Sequence, residues 1–271
     1  LFPRYYEEER PPGALRELVE HAIKPGFLPL GAAPNGIHLH WLDYEELARV
    51  MYPARRDMKD RFGLDLDTMV IVDNPSFSWS SVTALAGAGC KYAIRFGQPW
   101  RTGGRNSPQA TGLPPIFWWV GPDDHSRVLF AWRHHYGINF WFGQTERATA
   151  DLSDLGALNV QRELAAVESG EKLGPYPWDA LLVPSYQDHE LPAWDNRGLR
   201  RWRTLYRYPD IRITDPRDFM VEMEKTHGDR LPVLRGDLNN YSADYAAIDP
   251  VSFGGKRRAS RLLPFAESLA V

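Results

Sequence analysis

The sequence predicts an α/β protein built on a parallel sheet, and three features of the chain predict it. Segments with strand character alternate with segments of helical spacing along most of its length, and parallel strands need such crossovers. The stretch TMVIV, Thr68 to Val72, is a continuous apolar run, as expected of a strand covered on both faces. The chain has 271 residues, enough for one large α/β domain or two small ones, and the number of strand–helix units suits a barrel.

Taken in order, Gly13 to His21 has helical spacing, with Leu15, Leu18 and Val19 on one face, and Pro25–Gly26 stops it. Phe27 to Ala32 reads as a short strand. Leu42 to Phe62 reads as a helix with Tyr44, Leu47, Val50 and Met51 apolar and Arg55, Arg56, Asp57 and Lys59 facing water, ended by Gly63. After TMVIV come a helix from Ser80 to Ala88, a strand from Lys91 to Phe96 and a loop from Gly97 to Gly112 rich in Gly, Pro, Asn and Ser. The strands Ile116 to Val120 and Arg127 to Trp132, joined by Gly121–Pro122–Asp123–Asp124, form a hairpin-like pair. A helix from Leu155 to Ser169, a strand Ala180 to Val183, a helix Gly198 to Tyr206, a strand Ile211 to Ile213 and a helix Pro216 to Thr226 follow. Gly103 and Gly104 are not a phosphate loop, because no strand feeds them and no helix follows.

Composition narrows the function classes. Apolar residues make up 43% of the chain, as in globular rather than disordered proteins. The net charge of −3, with 32 basic residues spread among 35 acidic ones, gives no stripe for a phosphate backbone, so no nucleic-acid partner is expected. No apolar run approaches the length of about 20 residues that a membrane span needs. A soluble protein follows, with the cytoplasm slightly favoured and a homo-oligomer left open. The single cysteine, Cys90, excludes an internal disulfide and reads as a small buried hydrophobe. Ten Trp and twelve Tyr supply either core or the flat walls on which sugar rings pack.

In a parallel barrel the chemistry gathers at the C-terminal ends of the strands. Two carboxylates fall there: Asp73, directly after TMVIV, and Asp188, a few residues after ALLV. Glycoside hydrolysis needs such a pair, one carboxylate to attack or stabilise an oxocarbenium-like centre and one carboxyl to protonate the leaving oxygen. An Asp after a strand also often caps the next turn or helix, and Asp73–Asn74–Pro75 suits that reading.

Longer stretches add a resemblance. Glu45 to Tyr92, which includes TMVIVDNPSFSWSSVTALAGAGCKY, resembles the barrel segment of glycoside hydrolase family 38, the α-mannosidase type, that leads to its aspartate nucleophile. LLVPSYQDHELPAWDN is similar to the family segment carrying the general acid/base, with Asp188 on its second aspartate and Gln187 in place of the first. PPIFWWVGPDDHSRVLFAW resembles the family's strand pair, and RGDLNNYSADYAAIDPVSFGGKRRASRLLPFAESLA the segment entering its helical domain. Residues 13 to 271 are covered.

The resemblance implies a (β/α)7-type barrel over residues 1–250, incomplete at its N-terminal end, and the start of a following helical segment over 251–271. It implies a retaining glycosidase acting on an oligosaccharide or glycoside, with Asp73 as nucleophile and metal ligand and Asp188 as acid/base. The cofactor implied is zinc or another divalent cation, whose other ligands lie outside this segment. His38-x-His40 is only weakly similar to the family's first metal motif. Arg95, at a strand end, matches a family arginine contacting sugar or nucleophile. Trp119, His134, His135 and Tyr136 are substrate-contact candidates by place. Trp118 and Trp119 alternate along one strand, so at most one of them lines a pocket. The rival readings are a binding or degenerate carbohydrate barrel and a metal-dependent polysaccharide deacetylase. DNPSFSW departs from the commoner Asp-x-Phe-Gly-His form, so the sugar is not specified.

Overall fold

The computed structural model describes residues 2–33, 39–72, 77–96, 116–133, 160–162, 164–170, 176–183, 197–238 and 249–270. Their centre is a five-stranded, mostly parallel sheet of β1 (Thr68–Val72), β2 (Tyr92–Phe96), β3 (Ile116–Val120), β4 (Arg127–Arg133) and β5 (Val233–Leu234) in the order β1-β2-β4-β3-β5. β1, β2 and β4 run parallel to one another, β3 is antiparallel to β4, and β5 runs parallel to β3. The β3–β4 hairpin is set by its turn, where the Asp123 carboxylate accepts the amides of His125 and Ser126 and the Ser126 hydroxyl. Those bonds hold the Asp123 carboxyl down at about 2.

Alternation along the strands sends side chains to two separate cores. Met69, Ile71, Ala93, Phe117, Trp119, Val128, Phe130 and Trp132 meet Leu47 and Met51 of α3 (Tyr44–Phe62) and Val82 and Leu85 of α4 (Ser81–Gly87). On the opposite face Tyr92, Ile94, Phe96, Ile116, Trp118, Leu129 and Ala131 meet Met220 and Met223 of a helix at Pro216–His227. Both faces are therefore covered, which is why TMVIV can be apolar throughout. A smaller core joins Leu15, Val19 and Ile23 to Met58 and Phe62 at the far end of α3. The N-terminal helices are α1 (Phe2–Glu9) and α2 (Ala14–Leu18), the latter continuing as a π-helical turn at Val19–Ile23. After the hairpin come α5 (Arg197–Leu205), α6 (Pro216–His227) and α7 (Pro250–Leu269).

Three expected strands do not form. Phe27 to Ala32 is bent rather than paired, with Phe27 82% exposed, and its link to the sheet is the Ala32 amide on the Thr68 carbonyl. Pro29 has no amide to offer a ladder, and Gly26 and Gly31 add backbone entropy. Ala180 to Val183 buries Leu182 against the second core without strand pairing, and Ile211 to Ile213 leaves Ile213 63% exposed. Conversely, β5 is a strand of two residues that hydrophobic patterning did not mark. Tyr44, expected on the apolar face of α3, is 53% exposed, and Arg55, expected in water, turns inward to Asp65 at 3.0 Å.

Candidate functional site

Register decides what gathers at the C-terminal edge of the parallel strands. Ile71, Arg95 and Trp132 form one row across β1, β2 and β4, and Val72, Phe96 and Arg133 form the next and last row. Arg95 projects to the first core and is fully buried, its guanidinium 4.6 Å from the centre of the Trp132 ring. Trp132 is equally enclosed, and its indole N–H has no hydrogen-bond partner among the described residues. It was not singled out from the sequence, although its place at the end of a strand two residues before His134 is a usable signal. Asp73 follows Val72 in the chain, and His134, His135 and Tyr136 follow Arg133. These four, with His38 and Asp188, lie outside the described residues, and so does the side chain of His40.

Trp119 sits in the core. It has no exposed surface, packs edge-on to Phe77 and Phe130 and donates its indole N–H to the Gly236 carbonyl at 2.9 Å. Trp118, on the other face, donates to the Gly228 carbonyl. Strand alternation thus places one tryptophan on each face, and each face is covered.

Beyond β1 the chain is fastened at Phe77. Phe77 and Leu238 exchange two backbone bonds, at 3.1 and 3.0 Å, and the Phe77 ring packs on Phe130 and Trp132. Two residues on, the Trp79 amide donates to the Asp237 carboxylate at 2.7 Å and the Trp79 indole to the Val120 carbonyl at 2.7 Å.

Titratable groups elsewhere have structural explanations. At the opposite edge of the sheet Arg217 grips both oxygens of Asp67 at 2.7 and 2.9 Å. Burial pushes the Asp67 carboxyl up, but Arg217, Thr68 and Lys91 outweigh it and leave the group below its ordinary value. The Tyr92 hydroxyl beside them is raised by burial and by Glu224, to which it donates at 2.5 Å. His227, nearly buried, lies between Asp179 at 2.8 Å and Arg230 at 2.5 Å. Because an arginine only donates, Nδ1 is the acceptor and Nε2 carries the proton given to Asp179. Burial pushes the Cys90 thiol up to about 12, so it is an inert packing residue at neutral pH. Among the described residues no three His, Cys, Asp or Glu gather as a metal site, so those residues do not by themselves fit zinc. No described helix is long and apolar enough to cross a membrane.

The backbone is similar to that of an α-mannosidase. One match is to the crystal structure of the enzyme from Enterococcus faecalis V583, with a TM-score of 0.65 over 87% of this chain at 16% identity. At that identity the likeness speaks for the fold. The chain spans about a quarter of that protein, 24% of its length. No family model and no curated protein matches the sequence.

Proposed function

We propose that the chain is part of a retaining glycoside hydrolase of the α-mannosidase kind, the described sheet belonging to its (β/α) barrel and α7 opening the helical segment that follows. One observation carries this reading: the fold likeness to an α-mannosidase covers 87% of the chain at a TM-score of 0.65. A likeness confined to one helix or hairpin would carry nothing.

In the proposed reaction the Asp73 carboxylate attacks the anomeric carbon while Asp188 gives its proton to the departing oxygen. Asp188 then takes a proton from water, which displaces Asp73 and releases the sugar with its original anomeric configuration. The two carboxyls should stand about 5 to 5.5 Å apart. Arg95, one row below the edge, is the fixed positive charge proposed to favour the ionised nucleophile, and His134, His135 and Tyr136 are the sugar contacts proposed from β4. Zinc, if part of the enzyme, would be held by Asp73 with ligands beyond the described residues, and no step above depends on it.

The test separates the two carboxyls. Asp73→Ala should abolish turnover on every glycoside. Asp188→Ala should lose far less on a dinitrophenyl glycoside, whose leaving group departs without a proton, and azide should restore part of the second step. Equal loss on activated and natural substrates, with no azide rescue, would remove Asp188 from the role and turn attention to Glu190 or Asp195. Sugar binding without turnover in the wild type would favour a binding barrel.

A further inference from the structure

We infer that Asp237 is a positioning residue for the connection that carries Asp73 away from β1, an inference that deepens the glycosidase reading and rests on it. Asp73 is separated from Phe77 by three residues. The chain is fixed before Asp73 by the β1–β2 ladder, which runs to Val72. It is fixed again at Phe77 by the reciprocal bonds to Leu238. Main-chain bonds of that kind survive most substitutions. What the side chains add is the Asp237 carboxylate on the Trp79 amide at 2.7 Å, across a sequence separation of 158 residues.

The neighbours of Asp237 are themselves held. The Gly236 carbonyl accepts the Trp119 indole at 2.9 Å, and Trp119 is a core residue of β3. The Trp79 indole reaches the Val120 carbonyl of the same strand. Asp237 therefore ties the exit of the connection to the β3–β5 side of the sheet through a charge-assisted bond. A nucleophile must approach its carbon to about 3–3.5 Å, and a misplacement of about 1 Å from a distant change can cost on the order of a hundred-fold in rate. Asparagine keeps an acceptor oxygen for the Trp79 amide. Alanine does not.

The experiment uses the full-length protein with dinitrophenyl α-mannoside, whose leaving group needs no acid, and follows hydrogen exchange over residues 73–79. Asp237→Ala should accelerate exchange at Trp79 and lower kcat by at least about ten-fold with KM changed less than about three-fold. Asp237→Asn should keep both readouts near wild type. If exchange accelerates but kcat holds while Asp73→Ala is dead, the glycosidase reading stands and the inference is overturned. Unchanged exchange in Asp237→Ala, or an equal loss of kcat in the Asn and Ala variants, also overturns it. An active Asp73→Ala, or a wild type that hydrolyses nothing, removes the reading on which the inference stands.

Discussion

At the scale of single residues, the two-bond pairing of Asp67 with Arg217 is one that patterning could not single out. Asp67 precedes β1 and is nearly buried, while Arg217 at the start of α6 is half exposed. Their union across a sequence separation of 150 residues is invisible to local spacing. The folded carboxyl lies below its unfolded value, so its stabilisation is fully present above about pH 4, near the ordinary Asp value, and is lost as pH falls through the folded value. Asp67→Asn should therefore flatten the acid limb of a stability-versus-pH curve measured by thermal unfolding from pH 6 to 3. Arg217→Met should cost about 1–3 kcal/mol at neutral pH, towards the lower end because water screens the half-exposed guanidinium. The candidate site was legible in the same partial way. Arg95 could be assigned to a strand end, and register puts it in the row beside the edge. Trp119 went to the core because alternation tells which face a side chain takes but not what covers that face.

Among the elements, the helices were easier to read than the strands because their ends carry chemistry in the sequence itself. Asp43 caps α3 and Glu46 bonds back to its amide, a reciprocal capping box, while Gly63 ends the helix at φ 69°, where a β-carbon would be strained. Asp215 opens α6 by accepting the Arg217 amide, with Pro216 in the first turn. A strand has no such terminal signature. Ala180 to Val183 and Ile211 to Ile213 are apolar enough to bury, but the backbone pairing that makes a strand depends on a partner elsewhere, and β5 exists only because β3 lies beside it. Glu46 also reaches beyond its own helix, accepting from Lys256 and from the Ser260 hydroxyl of α7. Asp43→Ala should thus cost about 1 kcal/mol in chemical denaturation, the ordinary value of a lost cap. Glu46→Ala should cost more, and combined with Lys256→Ala it should be less than additive, because the two side chains share one contact.

For the whole molecule, the arrangement to explain is a sheet whose two faces are covered by different parts of the chain. The first face is closed by α3 and α4, which lie close to β1 in sequence, and the second by α6, more than a hundred residues later. Neither core contains a residue of the other, yet they share every strand backbone from β1 to β4. If the sheet couples them, the described region unfolds in one transition whichever face is damaged. Phe130, fully buried among Phe77, Phe117, Trp119 and Trp132, probes the first face, and Met223, buried beside α6's contacts with β2 and β4, probes the second. Phe130→Ala should cost about 3–5 kcal/mol and Met223→Ala about 2–5 kcal/mol, both moving the same transition. The double variant should be additive within about 0.5 kcal/mol, because the two residues lie in separate cores on opposite faces of the sheet. A wild-type or variant curve that splits in two, with Phe130→Ala shifting one step and Met223→Ala the other, would show that the faces fold separately. In that case damage to the α6 side would leave the Ile71–Arg95–Trp132 row intact, whereas a cooperative sheet loses that row together with either core.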